Sequence, residues 1–456
     1  MHEAAATNPA NQPPTSPGDK VNVLLIGGGG REHALAWKLK QSPRLGKLWT
    51  TNPENPGIAA LASPIETEID WKRPYLMQRF CTKNDIGLVV IGPEEPLALG
   101  AADGLALDVS GNPAGRAIFG PGRDGAKLEA DKAWARQLLR GAAVPMAEGR
   151  VFTDAEGAKN YLASRESPQV VKASGLAKGK GVILPANLEE AIQAVDRIMV
   201  KREFGDAGNT VVIEERLKGR EASLLALVDG RTMFVLEPCL DHKRLGDGDT
   251  GPNTGGMGVI CPGGVTDEAM TARVEREILV PTLDAMRRDG IDFRGVLYCG
   301  LMFTPAGPKV LEYNVRFGDP ECQALMARFD ADVLSVMLAT GMRKLDQVQI
   351  AWSPKASCCV VLASKGYPEK PEKGKRISGL EEAAAVEGVQ VFHAGTRRES
   401  GGEIVTAGGR VLNVVGVGES AEEARRRAYQ ACELIKFEGK TYRTDIGANI
   451  GATAVG

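Results

Sequence analysis

Leu311-Glu312-Tyr313-Asn314-Val315-Arg316-Phe317-Gly318-Asp319-Pro320-Glu321 is the stretch on which the reading of this chain turns. In an extended strand, residues two apart project from the same face. Glu312, Asn314 and Arg316 therefore line one surface with a carboxylate, an amide oxygen and a cation. A hard cation takes such oxygen ligands, one or two from side chains and the rest from water and substrate phosphates. A guanidinium beside them can grip carboxylate or phosphate oxygens in a fork. The run then breaks into a Gly318-Asp319-Pro320 turn, and Asp319 and Glu321 add further acids. A solvated edge strand followed by an ordinary turn would give the same letters. An independent phosphate-type element upstream tips the balance toward chemistry.

That element is Ser174-Gly175-Leu176-Ala177-Lys178-Gly179-Lys180-Gly181, with Val170-Val171-Lys172 before it and Val182-Ile183-Leu184 after it. Glycines let backbone N–H groups approach phosphate oxygens, and lysines neutralise them. The spacing is not that of a P-loop, and a strand follows, so a flap between paired strands is predicted. Further upstream, the apolar run Val21 to Ile26 enters Gly27 to Gly30 and a helical stretch from Arg31 to Lys40. The dinucleotide fingerprint fails here, because its third glycine would fall on Glu32 or His33. A glycine-lined turn at a helix N-terminus can still take a phosphate, with Arg31 adding charge. Val211 to Leu217, followed by Glu221, has the pattern of an adenosine-binding hinge. Asp241-His242-Lys243-Arg244 and the glycine-dense run to Gly258 suit a loop that closes over an anionic substrate.

With 456 residues the chain exceeds one core and should divide into several units. Lys and Arg number 56 and Asp and Glu 58, so nothing points to nucleic acid or an anionic membrane. The eight cysteines lack C-x-x-C spacing and read as reduced, buried thiols. No secretory signal, spanning segment, zinc cluster or G-x-S-x-G elbow appears, and a cytoplasmic protein is expected. Expected units are a disordered extension over 1–20, a doubly wound parallel-sheet domain over 21–125 and a nucleotide domain over 126–350. The last contains a flap subdomain at about 147–220. A strand-rich domain over 351–448 and a tail over 449–456 complete the α/β architecture. Single helical stretches are predicted over about 124–141 and from the 316–321 turn to about 342.

Placed together, these elements resemble the ATP-grasp superfamily, and within it the phosphoribosylamine–glycine ligase family. The segments that match are Gly27 to Ala34, Ile91 to Glu94, Lys172 to Gly181, Asp241 to Gly258 and Arg316 to Glu321. Phe392-His393-Ala394-Gly395-Thr396, Gly408-Gly409-Arg410-Val411 and Asp445-Ile446-Gly447 match as well. The resemblance spans about 21–448 and implies an ATP-grasp fold and ligation of glycine to 5-phosphoribosylamine through glycyl phosphate.

It further implies ATP phosphates at Lys132, Lys172, Gly175, Lys178, Gly179, Lys180 and Gly181, with adenosine at Glu214, Glu215 and Leu217 and ribose at Glu221. Mg²⁺ or Mn²⁺ would sit at Glu312 and Asn314. Gly29, Gly30, Arg31 and Glu32, with Pro93 and Glu94, would hold the acceptor. His242, Arg244, Gly255, Gly256, Gly318, Pro320 and Glu321 would line the glycine and acyl-phosphate side, with Arg316, Asp319, Asp241 and Lys243 catalytic. A stand-alone ligase is expected, monomeric or at most a weak dimer. Departures from the family pattern are an irregular 52–58 loop, no acid in Gly300-Leu301-Met302-Phe303, and Ser174 where Asp is frequent. A non-catalytic ATP sensor, another ATP-grasp ligase and an NAD enzyme are the competing readings.

Overall fold

Apolar β-branched runs that end in glycine build the first layer. In this computed structural model, which describes residues 19–177, 179–264 and 266–448, β1 (Val21–Ile26) feeds helix α1 (Gly30–Leu39). β2 (Leu45–Thr50), β3 (Ser63–Pro64), β4 (Ile86–Ile91) and β5 (Ala117–Phe119) complete a parallel sheet of order β3-β2-β1-β4-β5. The order reverses at β1, so the ligand crevice of such a sheet lies past the carboxyl ends of β1 and β4. Gly27 to Gly30 and the Gly92-Pro93-Glu94 turn both sit there. Readings that concern residues 1–18, Lys178 and residues 449–456 fall outside the described residues.

The single helix expected over 124–141 is two helices, Arg123–Ala130 and Lys132–Gly141. Asp131 between them is extended (φ −141°, ψ 93°), and its carboxylate caps the second helix by accepting from the Trp134 N–H at 3.1 Å. Strands β6 (Gly149–Phe152), β7 (Gln169–Ala173), β8 (Val182–Ile183) and β9 (Val211–Glu215) form an antiparallel sheet of order β6-β9-β7-β8. Lys172 pairs with Val182 across β7 and β8, so the glycine-rich segment is the flap between paired strands that its flanks predict.

β10 (Arg220–Asp229) and β11 (Met233–Val235) come next. The segment expected as one long loop then proves to be β12 (Leu240–Asp241), a hairpin of β13 (Arg244–Gly246) with β14 (Thr250–Asn253), and β15 (Gly258–Cys261). β16 (Arg294–Thr304) and β17 (Gly307–Asn314) complete the antiparallel sheet β11-β10-β16-β17. The helical stretch after Pro320 is likewise two helices, Glu321–Arg328 and Val333–Gly341. The last unit contributes β18 (Ala356–Ser364), β19 (Val389–His393), a hairpin of β20 (Thr396–Arg398) with β21 (Ile404–Thr406), β22 (Arg410–Gly418), the helix Ala421–Leu434 and β23 (Lys440–Thr441). Its sheet, β12-β15-β18-β22-β19 with β23 on β18, takes two strands from the middle of the chain. Local pattern cannot reveal such a pairing, because it joins residues about a hundred positions apart (Val259 with Cys359).

One apolar cluster runs from Val23 and Leu25 through Leu325 and Met326 to Cys359, Phe392 and Val415. The outer units thus pack on the helix that begins at Glu321. All eight cysteines are buried and unbonded. Among the described residues, no helix is long and apolar enough to cross a membrane.

His33 marks the contact between α1 and β19. Its Nδ1 accepts the His393 N–H at 2.8 Å, and a Cβ added at Gly57 would lie 2.0 Å from its ring. Burial, then His393, pushes the His33 pKa down to about 3; burial, then Arg398, pushes His393 down to about 4. Both rings are neutral in the fold, whereas in the unfolded chain each titrates near 6.5. Below that value the unfolded chain binds protons that the folded one refuses. Their stabilisation is therefore full above pH 6.5 and declines as pH falls toward 4. In urea unfolding at about pH 7 and about pH 5, His33→Gln should lose less stability on acidification than the parent, by at most about 1.4 kcal/mol per pH unit. Equal losses in the two proteins would contradict a neutral buried His33.

Candidate active site

β17 ends at Asn314, and the next seven residues build the centre of the site. Gly300 stands opposite Glu312 and Tyr298 opposite Asn314 in the β16 ladder. The Val315 N–H donates to Glu129 Oε2 at 2.8 Å, and Arg316 Nη2 donates to Glu129 Oε1 at 2.8 Å and to Asn314 Oδ1 at 3.0 Å. Arg316 Nε lies 3.5 Å from Glu94 Oε2. Arg316 is thus an answered charge and not the open cation that its place on the strand face suggests. Burial pushes the Glu129 pKa up and outweighs Arg316.

The turn continues to Asp319, whose Oδ1 accepts from Gln323 Nε2 at 2.8 Å and lies 3.5 Å from Arg410 Nη1. Burial acts against its charge, but Arg410 and Arg31 hold the carboxyl below its usual range. Beneath it, Glu321 accepts the Tyr298 hydroxyl at 2.9 Å, and Tyr298 Oη meets Ser223 Oγ at 2.6 Å. A Cβ at Gly318 would lie 2.1 Å from Glu321 Oε2, so only glycine lets that carboxylate fold under the turn.

Lysines gather on the other side of Glu312. Lys172 Nζ donates to Leu311 O at 3.0 Å and pairs with Glu214 Oε2 at 2.5 Å; Arg136 holds the other Glu214 oxygen at 2.8 Å. Lys132 Nζ reaches Gly175 O at 3.4 Å. Ser174 Oγ donates to Asp131 at 2.8 Å and accepts the Ala133 N–H at 2.9 Å, tying the flap root to the helix break. Lys243 Nζ is 3.7 Å from Glu312 Oε1. Burial opposes charge on Glu312, yet Lys243, Lys172 and Lys132 keep its pKa below the usual carboxylate value. Glu312 and Asn314 thus offer an ionised carboxylate and an amide oxygen at one strand end. This is the sparse oxygen set that suits a divalent cation completed by phosphates and water. Among the described residues no group of three acidic, His or Cys side chains forms a denser metal site.

Other expectations change. Glu214 and Glu215 spend their carboxylates within the protein, Glu215 on the Glu148 N–H and on Lys309, both at 3.0 Å. Among the described residues, the Leu217 backbone is left without a partner. Glu221 faces a cleft that Ser223, Asp241 and Lys243 also line. Side chains alternate along an extended segment. Asp241 and Lys243 therefore turn toward Glu312, while His242 and Arg244 turn away. His242 Nε2 accepts from Gly447 N–H at 3.4 Å, and Arg244 donates to Gly251 O within its own hairpin. Those two are not brought to the site.

Arg31 and Glu32 do not face solvent. Glu32 Oε2 takes the Gly29 N–H at 2.7 Å, its Oε1 takes Arg31 Nε at 2.6 Å, and Arg31 Nη1 reaches Phe317 O at 3.1 Å. The irregular 52–58 loop serves the packing of the outer units, because Asn55 Nδ2 bridges Gly28 O and His393 O at 2.9 and 2.8 Å. Glu129, Arg136, Tyr298, Gln323, Tyr367 and Arg410 join the site without being singled out by motif. Only Arg410 lay in a segment with a family signal. Asn413 and Gln323, both fully buried, abut Gly30 at the head of α1, and both Asn413 amide atoms lack partners among the described residues.

Comparison with known proteins agrees along the chain. Models of phosphoribosylglycinamide synthetase match its N domain at 21–129, its ATP-grasp (A) domain at 130–322 and its C domain at 357–449. The phosphoribosylamine–glycine ligase of Rhodopirellula baltica is 47% identical over 442 residues, covering 95% of this chain and 99% of that one. The Nostoc enzyme of the same name is 45% identical over 434 residues, covering 95% and 100%. A crystal structure of phosphoribosylamine–glycine ligase from Thermotoga maritima superposes with a TM-score of 0.79 at 34% identity, over 93% of this chain and all of that one. The biotin carboxylase domain of a Hydrogenobacter thermophilus 2-oxoglutarate carboxylase shares the fold alone, with a TM-score of 0.68 at 15% identity over 92% and 91% of the two chains. The chain belongs to the phosphoribosylamine–glycine ligase family of ATP-grasp enzymes.

Proposed function

We propose that the two sides of Glu312 divide the work of ligating glycine to 5-phosphoribosylamine at the expense of ATP. The observation that carries this is the gathering of Lys132, Lys172 and Lys243 around Glu312, with Asp319 and the head of α1 beyond Arg316. Lys132, Lys172 and the flap residues Gly175, Gly179, Lys180 and Gly181 bind the phosphates of ATP. Glu214 aims Lys172, and the free Leu217 backbone addresses adenine. Glu221 holds the ribose. Mg²⁺ or Mn²⁺ would be held by Glu312 and Asn314 and would offset phosphate charge.

Glycine lies between Lys243 and Arg316. Its carboxylate attacks the γ-phosphorus, forming glycyl phosphate and releasing ADP. Lys243 stabilises the charge that builds on the transferring group, while Arg316, answered by Glu129, fixes the Asn314 oxygen beside it. The amine of phosphoribosylamine, held by Gly29, Gly30 and Pro93, then attacks the acyl carbon. The new C–N bond replaces the C–O bond, and phosphate leaves carrying the proton that the amine loses. Asp319, held anionic by Arg410 and Arg31, orients the amine and does not keep that proton. Arg31, Glu32 and Glu94 act by holding this half of the site in place. Buried unbonded thiols support a reducing cytoplasm, and we take the working form to be a monomer.

ADP release with Mg-ATP, glycine and freshly generated phosphoribosylamine should require all three. Glu312→Ala should lower kcat by about a hundredfold or more, in keeping with the several kcal/mol that metal-assisted charge stabilisation supplies. ATP turnover indifferent to glycine would contradict the ligase reading. Glu214→Gln leaves Lys172 and Arg136 without their counter-charge, so kcat/KM for ATP should fall roughly ten- to hundredfold, the effect of one charge-assisted hydrogen bond. An unchanged value would show that Lys172 needs no such support.

A further inference from the structure

The short segment Thr254-Gly255-Gly256 roofs the acyl-phosphate side of the site. A Cβ at Gly256 (φ +112°) would lie 2.6 Å from Pro320 Cδ and 3.1 Å from Asp241 Oδ1, so this backbone rests directly on the Asp319-Pro320 turn. From below, the segment is tied to Lys243, between β12 and β13: the Thr254 N–H and Oγ1 both donate to Lys243 O at 2.8 Å, and the Gly256 N–H donates to Thr254 Oγ1 at 3.0 Å.

From above it is held by the last unit of the chain. Arg410 Nη1, at the start of β22, donates to Gly255 O at 2.8 Å and to Asp319 O at 2.5 Å. The Gly255 N–H donates to Tyr367 Oη at 3.0 Å. One guanidinium nitrogen thus bridges the roof and the turn beneath it, while the phenol takes the other polar group of the same peptide residue. The fit is close: a Cβ at Gly255 would lie 3.1 Å from Arg410 Cζ, and one at Gly409 would lie 2.3 Å from the Tyr367 ring. A side chain at Gly409 would displace the phenol, and one at Gly255 would press on the guanidinium.

We infer that Arg410 and Tyr367 are positioning residues that latch the 254–256 roof onto the Asp319 turn and so keep water from the acyl phosphate. The inference rests on the ligase reading above. An acyl phosphate has two fates: attack by the amine gives the amide and phosphate, while attack by water returns glycine and phosphate after ADP has already left. A site that excludes water favours the first. Loosening the roof should therefore alter how ATP use is divided between these outcomes, and not only how fast the enzyme turns over.

The test is the ratio of ADP released to amide formed by the full-length protein, with every substrate present. The parent should give about one ADP per amide. Tyr367→Phe removes the acceptor for the Gly255 N–H and keeps the ring against Gly409. Arg410→Met removes the bridge and keeps most of the side-chain bulk. In each variant ADP release should still require glycine, but the excess of ADP over amide should rise roughly three- to tenfold above the parent's, the population effect of losing one hydrogen bond. A merely structural role would lower the rate and leave the ratio at one, and that result would overturn the latch. If Arg410→Met does not fold, Tyr367→Phe decides alone. If the parent releases no glycine-dependent ADP, the ligase reading fails first and the latch falls with it.

Discussion

Arg316 is the charge on which the rest of the site depends. A guanidinium out of water must be answered, and this one is answered by Glu129 from the helix Arg123–Ala130, by Glu94 from the turn after β4, and by Asn314 Oδ1 from its own strand. Removing one partner of such a pair costs about 3–5 kcal/mol, because the other charge stays buried. The pairing turns the Asn314 oxygen in a fixed direction. The carbonyl of Phe317 is shared between Arg316 and Arg31, which ties the head of α1 to the same turn. Asp319 sits two residues beyond that shared carbonyl, so its place relative to Glu312 is set from both sides.

Charge is distributed unevenly about this point. Toward the flap, Lys132, Lys172 and Lys243 meet Glu312 and Glu214, a balance that leaves room for the negative charge of a nucleotide. Beyond Arg316, Arg31 and Arg410 meet Glu32, Glu94 and Asp319, and positive charge there is mostly spent within the protein. Phosphoryl transfer draws on the first environment. Capture by an amine is suited to the second, where a carboxylate held ionised can orient an N–H donor.

Much of this was legible in the letters, where the controlling physics is local. The run Val21 to Ile26 read as a buried parallel strand and the lysine-bearing glycines between Lys172 and Val182 as a flap between short strands, and both are found. The acidic end of β17 followed from strand alternation alone. Most failures share one cause, a partner far away in the chain. The helix over 124–141 breaks because Asp131 answers both the Trp134 N–H and the distant Ser174 hydroxyl. Residues 240–261 look like a loop because their strands are only two to four residues long and the sheet that orders them is completed by β18, about a hundred residues further on. Arg31 and Glu32 read as holding the acceptor, and nothing nearby in sequence shows that they spend their polar groups on each other, on the Gly29 N–H and on Phe317 O. His242 and Arg244 share a motif with Asp241 and Lys243, yet alternation sends them to the opposite side. Arg410 lay within a family-like segment, but only the fold shows that it reaches across to Gly255 and Asp319.

The division of the site at Glu312 requires that the carboxylate of glycine, and no other nucleophile, receive the phosphoryl group. Glycine labelled with oxygen-18 in its carboxylate tests this most directly, with mass analysis of the inorganic phosphate released during ligation. Phosphate carrying one labelled oxygen for each amide formed is the result this chemistry demands. Unlabelled phosphate from an enzyme that still makes the amide would contradict it, because the glycine carboxylate would then never have been bonded to phosphorus.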